Sequence, residues 1–469
     1  MIHASTETLK NALEGILCTT ADGVEVLDAE RLRNELLDDL IYTAIFGPDD
    51  ETRSAARWLI RRSGAALGVY AASIQGLYEA MGRGEVSGFT VPAINIRTLT
   101  YDTASAILRA AGNLQAGPVL FEIARSEIDY TCQRPEEFAA AVIAAAIKVG
   151  YEGPLFLQGD HFQVNAGRYA KDPDREVQAV KDLIWEAIEA GFYNIDVDTS
   201  TLVDLTQPTV REQQRLNYTL AAELATMIRD LEPPGVTISV GGEIGEVGGK
   251  NSTVEELAAF MAGFREAMEK DGEKRAGISK ISIQTGTTHG GVPLPDGTVA
   301  QVKLDFATLE ELSREARERY GLAGAVQHGA STLPDEAFDR FPACGTAEVH
   351  LATGFQNIIY DNPDFPPDLR ERIYDSLRIA CAAERKEKDT DEQFLYKTRK
   401  KGFGPFKQEL WHLPLATRRA LGAALEKQFV FLFEKLQIAD AWKRVRRYVS
   451  PVDVPLRPPA ALRNENKLS

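Results

Sequence analysis

Three of the six histidines sit in small-residue contexts at the ends of successive apolar runs: Gly-Asp-His at 159–161, Thr-His-Gly-Gly at 288–291 and Gln-His-Gly at 327–329. A single His-Gly pair reads as a turn. A histidine kept only for packing has no reason to follow an apolar run and precede a glycine, so three that do so suggest one site built from several strand ends. Three imidazoles, His161, His289 and His328, aimed at one cavity are best used to hold a divalent metal with an open coordination position.

Those histidines need a frame that brings distant strand ends together. Residues 1–87 show helical spacing throughout, as in Leu36, Leu37, Leu40 and Ile41, and carry no visible chemistry, which predicts a helical extension acting as a cap or an oligomer contact. From residue 88 the texture changes to short β-rich runs: 89–96, 118–124, 154–160, 193–198, 236–243, 278–286, 323–329 and 347–353. Amphipathic or Ala-rich stretches separate most of them, one ending in Gly191 as a C′ residue. Eight runs too apolar to be half-exposed imply a parallel sheet covered on its outer face, and eight such strands close a (β/α)8 TIM barrel of about 250 residues. A doubly wound sheet is the alternative, but no GxGxxG follows the first run. Residues 88–369 are therefore read as the barrel. Residues 370–469 are read as a second helical extension ending in a Pro-rich tail.

A barrel places functional side chains at the C-terminal ends of its strands. Here His161 follows run three, Asp198 ends run four, Glu243 ends run five, His289 follows run six, His328 ends run seven and Thr353 ends run eight. The glycines at 241–242 and 248–249 read as permitting sharp loop turns.

Composition narrows the partners. A net charge of −16 over 469 residues, with no basic block, argues against nucleic acid or an anionic membrane as partner. The one small basic cluster, KTRKKG at 397–402, is either a solvated helix end or a phosphate clamp. Cys18, Cys132, Cys344 and Cys381 lack CxxC spacing and read as small buried thiols in a reduced protein. The N-terminus has no signal-peptide pattern and no segment suits a membrane span, so a soluble, cytoplasmic protein is expected.

Taken in order, the motifs resemble the class II, metal-dependent ketose-bisphosphate aldolases, fructose- and tagatose-bisphosphate aldolase-like, over roughly residues 88–360. VPAIN at 91–95 matches the opening strand that contains Asn95; GDH at 159–161, VDTS at 197–200 and Glu243-Ile-Gly-Glu-Val-Gly-Gly249 match the family's next three motifs; THGG at 288–291, HGAST at 328–332 and HLAT at 350–353 match the last three. The resemblance implies an aldehyde-lyase that cleaves a phosphorylated ketose such as fructose or tagatose 1,6-bisphosphate to dihydroxyacetone phosphate and an aldehyde. It implies Zn²⁺, or a similar divalent ion, on His161, His289 and His328, with Glu243 as an alternative ligand and Asp198 as an outer or second-metal carboxylate. Asp160 would move the proton of the C4 hydroxyl. Gly290, Gly291, Gly329, Ser331, Thr353 and Asn95 would hold the substrate and its phosphate. A homo-oligomer, dimer or tetramer, is the family expectation.

Two departures stand out. Where the family carries an acidic proton-abstracting residue, this chain has Lys250-Asn251, with Glu246, Glu255 and Glu256 the nearest substitutes. The asparagine of the eighth strand is His350, which by alternation points into the mouth as a fourth ligand or a replacement acid/base. The departures leave two rivals: a metal-dependent sugar or sugar-acid epimerase on the same barrel, and a non-catalytic companion subunit of an aldolase.

Overall fold

Each of the eight apolar runs meets one strand, the third strand extending past both ends of its run. A computed structural model of the chain describes residues 1–20, 23–245, 250–270, 272–286, 292–293, 299–300 and 304–463. The strands are β1 (Val91–Asn95), β2 (Leu120–Ala124), β3 (Gly153–Gln163), β4 (Asn194–Asp198), β5 (Ser239–Glu243), β6 (Lys280–Ile283), β7 (Ala325–Gln327) and β8 (Glu348–Leu351). All neighbours pair in parallel, β8 pairs with β1, and β3 pairs with both β2 and β4, so the sheet closes. The result is a (β/α)8 barrel with helical extensions.

The helices between the strands cap themselves as their ends predict. Asp172 accepts from the Arg175 amide at the start of the helix Pro173–Glu189, and Gly191 follows its C-cap with φ 93°. The C-terminal helix Leu415–Lys435 packs on the barrel helix Thr100–Leu114, which in turn packs on Pro135–Val149. Among the described residues no helix is long and apolar enough to cross a membrane.

Three expectations change. The N-terminal region is not helical throughout: Leu17–Thr19 and Val24–Val26 form a hairpin, and Val69–Ala71 pairs in parallel with Gly153–Leu155 at the start of β3. Strands of three residues are too short to show a period, and the last exists only through a distant partner. Cys344 and Cys381 are buried as expected, but Cys18 and Cys132 are exposed. The first lies on the outward position of the hairpin and the second is the left-handed C-cap of a short helix. Gly241 serves no loop turn. It lies within β5, where a Cβ would stand 2.3 Å from Asp196 Oδ1 and 2.9 Å from Lys280 Cε, so its missing side chain makes room for that pair.

The interior of the barrel explains the need for that room. Bulky aliphatic side chains usually fill such an interior, whereas here the strands carry Glu122, Gln158, Asp196, Lys280 and Glu348, all buried. Lys280 is 1% exposed, and its ammonium donates to Glu348 (2.5 Å), Gln158 (2.8 Å) and Asp196 (3.0 Å). Tyr78 and Gln158 donate to the same Glu348 carboxylate. This charged floor lies beneath the strand ends that carry the histidines.

Candidate active site and metal centre

A break in register builds the centre of the site. Gly159 pairs with Ile195 but Phe162 with Val197, so β3 holds one extra residue there, and His161 takes a left-handed φ of 40°. Alternation would otherwise send Asp160 and His161 to opposite faces; the bulge lets both line one cavity, a common use of bulges beside active sites.

Three imidazoles lie side by side in that cavity. The His161 and His328 ring centroids are 4.1 Å apart, and those of His328 and His350 are 4.0 Å apart. Nδ1 of His161 meets Asp198 Oδ2 at 3.1 Å and Glu243 Oε2 at 3.3 Å. Asp198 is itself fixed by the amide and hydroxyl of Ser200 and by Gln163. Nε2 of His328 is 3.1 Å from the Ser282 hydroxyl.

Asp160 joins the three rings. Its Oδ2 accepts from Asn95 Nδ2 at 3.1 Å. Its Oδ1 is buried and accepts no well-formed hydrogen bond, with Nδ1 of His350 at 3.2 Å, Nε2 of His161 at 3.8 Å and Nδ1 of His328 at 4.0 Å. Burial alone would raise this carboxyl, but His161, His350 and His328 outweigh it and hold it well below the usual carboxylate range. Burial likewise opposes protonation of His161, yet Asp160 and Glu243 raise its pKa well above that of free histidine. Glu243 is pushed up to about 7 by burial and by Asp198, against the pull of His161.

His350 is held from both sides. Nδ1 faces Glu122 (3.1 Å) and Asp160, while Nε2 faces Glu348 at 2.6 Å. Burial lowers its pKa, but Glu122 and Asp160 more than reverse this. Glu122 is driven up to about 8 by burial, which exceeds the opposing effect of His350. The folded chain therefore keeps a proton on Glu122 that an unfolded chain releases above about pH 4.5. Stability is fully present below that pH and falls as pH rises toward 8. Glu122→Gln, a permanently neutral mimic, is expected to remove a slope of about 1 kcal/mol per pH unit in that window; denaturant unfolding at pH 5 and 8 would detect it, and an unchanged slope would refute it.

The cavity, about 470 Å³, is lined by Asn95, Asp160, His161, His328, Gly329, Ser331, His350 and Thr353. Eight of the residues singled out from the sequence thus come together. Asp198 and Glu243 reach the same centre by contacting His161. His289, Gly290, Gly291 and Glu246 lie outside the described residues. Asn251, at the position of the missing family acid, donates to Asp305, the N-cap of the helix Phe306–Tyr320.

Sequence reasoning passed over Arg97, Arg125, Glu127 and Tyr130, which also line the cavity. Arg97 pairs with Glu127 (2.7 Å) and donates to Gln356 (2.9 Å); Glu127 also accepts from Asn95 (2.7 Å). Their signal was charge just beyond an apolar strand, in NIRT and IARSE. The buried floor was missed too, though a lone Lys or Glu within an apolar strand, as in SKISI and LFEIA, is the mark it leaves.

Donor atoms of Asp160, His161 and His328 lie within 4.8 Å of one another, as do those of His161, Asp198 and Glu243. Imidazole and carboxylate donors in this number, with one buried carboxylate oxygen left unbonded, fit a divalent transition metal.

The sequence model of the fructose-bisphosphate aldolase class-II family matches residues 77–401, and the chain belongs to that family. Among solved structures, a probable tagatose 6 phosphate kinase from Sinorhizobium meliloti 1021 is 21% identical, with a TM-score of 0.53 over 80% of this chain and 96% of that one. A glycerol-complexed fructuronate-tagaturonate epimerase from Cohnella laeviribosi is 13% identical, with a TM-score of 0.56 over 92% of this chain and 90% of that one. At these identities the likeness is one of fold.

Proposed function

We propose that the chain is a metal-dependent aldolase that cleaves a phosphorylated ketose, such as fructose or tagatose 1,6-bisphosphate, to dihydroxyacetone phosphate and an aldehyde, working as a cytoplasmic homo-oligomer. The carrying observation is the placement of Asp160, a buried carboxylate set among three imidazoles with one oxygen that accepts no well-formed hydrogen bond. His161 and His328, with His289, would hold a divalent ion, most suitably Zn²⁺, with Glu243 as an alternative ligand and Asp198 fixing the His161 ring. Bound there, the ion supplies Lewis-acid polarisation of a carbonyl oxygen.

The chain's own groups do the rest. Asn95 occupies Oδ2 of Asp160 and leaves Oδ1 to take the proton of the C4 hydroxyl. As that proton leaves, the C3–C4 bond breaks, the C4 carbonyl forms, and the bonding pair stays on C3 of the dihydroxyacetone phosphate fragment, which is then protonated there. His350, with both nitrogens against carboxylates, serves as a positioning residue that keeps Asp160 ionised. Gly329, Ser331 and Thr353 would receive one phosphate of the substrate.

Sugar-acid epimerisation is the second reading. It is favoured by the fold likeness to the fructuronate-tagaturonate epimerase, which extends over 92% of this chain. Elemental analysis with a coupled cleavage assay separates the two. His161→Ala and His328→Ala should each lose the bound ion and turnover together, since metal and chemistry share the ligands. Retention of full metal by either variant would remove that residue from the ligand set. Stoichiometric metal with fructuronate epimerisation and no triose phosphate release would favour the second reading.

A further inference from the structure

The wall of the active-site cavity is not supplied by the barrel alone. Tyr396, Lys397 and Lys400, from the C-terminal extension, line it together with Asp160 and the histidines. The short helix Asp391–Thr398 and the turn Arg399–Gly402 that carry them are fixed to the barrel at several points. Arg399 is buried, pairs with Asp361 at 2.8 Å, and lies over the rings of Tyr360 and Tyr396. A Cβ on Gly404 would stand 2.4 Å from the Tyr130 carbonyl, so the extension approaches the short helix Arg125–Thr131 after β2 as closely as backbone allows. Lys407 donates to the Cys132 carbonyl at 2.7 Å and pairs with Glu137.

This framework holds Lys400 in an unusual state. Its neighbours are accounted for: Lys397 pairs with Asp389 and Lys401 with Glu384. On the barrel side, Arg97 is paired with Glu127 and Arg125 with Glu176. Of the cations that line the cavity, only the Lys400 ammonium and the exposed Arg168 guanidinium make no side-chain hydrogen bond or ion pair among the described residues, and the Lys400 ammonium lies 5.6 Å from the Tyr130 ring centroid. Burial, and then the nearby charge of Arg97, hold its pKa below the ordinary lysine range, as expected of a cation lacking a counter-charge. A half-buried ammonium on the wall of a reactive cavity, next to an arginine already neutralised, has an open place for an anion.

We infer that Lys400 is a substrate-binding residue that receives the anionic group of the sugar, phosphate or carboxylate, so that the C-terminal extension takes part in choosing the substrate. The inference rests on the reading of this cavity as the sugar site, but not on which reaction takes place there. Arg97 stands beside it as the positioning partner, its guanidinium held by Glu127 and Gln356.

The test uses three probes with one six-carbon frame and no carbonyl to cleave: D-glucitol 6-phosphate, D-gluconate and neutral D-glucitol. Binding to the metal-loaded full chain is measured by calorimetry, so a failure of the aldolase reading leaves it interpretable. The wild type is expected to bind at least one anionic probe tenfold or more tightly than glucitol. Lys400→Met, which keeps a similar volume without the charge, should remove that tenfold preference and leave glucitol unchanged. Lys400→Arg should retain it within threefold, and Lys401→Gln should not alter it. A preference for the phosphate probe joins the site to the aldolase reading, and a preference for gluconate joins it to the sugar-acid reading; both support the inference. An undiminished preference in Lys400→Met, or no anion preference in the wild type, would overturn it. A second measurement needs no variant: acetylation of Lys400, followed by mass spectrometry, should be slowed by the preferred anionic probe and not by glucitol.

Discussion

Lys280→Met is expected to destabilise the folded chain by about 3–5 kcal/mol, the usual cost of stranding a buried charge by removing its partner. Methionine fills a similar volume, so packing is not the issue. The loss would fall on Glu348 and Asp196, both buried and both now bonded to the ammonium. Burial would push Glu348 upward, but Lys280 and His350 hold it down at about 2, whereas Asp196 is already driven up to about 6 against the same lysine. Without Lys280 both carboxyls would titrate higher in the folded state than in the unfolded chain. The variant should therefore regain stability as pH falls, the folded form taking up protons that the unfolded form lacks. Denaturant unfolding at pH 7.5 and 5.5 should show a deficit that shrinks at the lower pH. The double variant Lys280→Met/Glu348→Gln should recover part of it at neutral pH. A single variant as stable as the wild type would mean that the charged floor contributes little to folding. Because Glu348 also meets His350 at 2.6 Å, the loss should extend upward into the site.

What the sequence revealed and what it concealed follow from different physics. The barrel strands were legible because each is a continuous apolar run with a helical stretch beside it, a pattern that needs no distant partner to be seen. Asp160, His161 and His328 were legible because barrel geometry concentrates polar side chains at strand ends. The strand Val69–Ala71 was not, since it exists only by pairing with the start of β3. Nor were Lys280, Glu122 and Glu348, because in a linear chain a lone charge within a strand looks like an outward-facing residue. Only closure of the sheet turns those three toward one another. The bulge at Asp160–His161 is hidden for the same reason, a register with β4 that no local pattern encodes. Lys400 lay within a recognisable basic cluster, yet only the fold separates it from Lys397 and Lys401, whose charges are met by Asp389 and Glu384.

Asp160→Asn should lower kcat by about 10²–10⁴-fold, the range for loss of a positioned acid/base group, with metal content unchanged by elemental analysis. Asparagine is isosteric and can still accept from Asn95, so the neighbouring rings should stay in place. What it cannot do is take a proton at the position of Oδ1. The wild-type carboxylate can, because Asn95 occupies only its Oδ2 and Oδ1 accepts no well-formed hydrogen bond. KM should change little, since the group that carries the proton differs from those proposed to hold the phosphate. Loss of metal along with turnover would make Asp160 a ligand and move the proton to another group. An unaltered kcat would remove it from the chemistry altogether, leaving the carboxylate as a counter-charge for the histidines. His350→Asn separates these outcomes further. If His350 acts by holding Asp160 ionised, its loss should shift the acidic limb of the kcat profile toward neutral pH, because the remaining imidazoles oppose burial less strongly. If it is itself the proton carrier, activity should fall at every pH, with no shift of the limb.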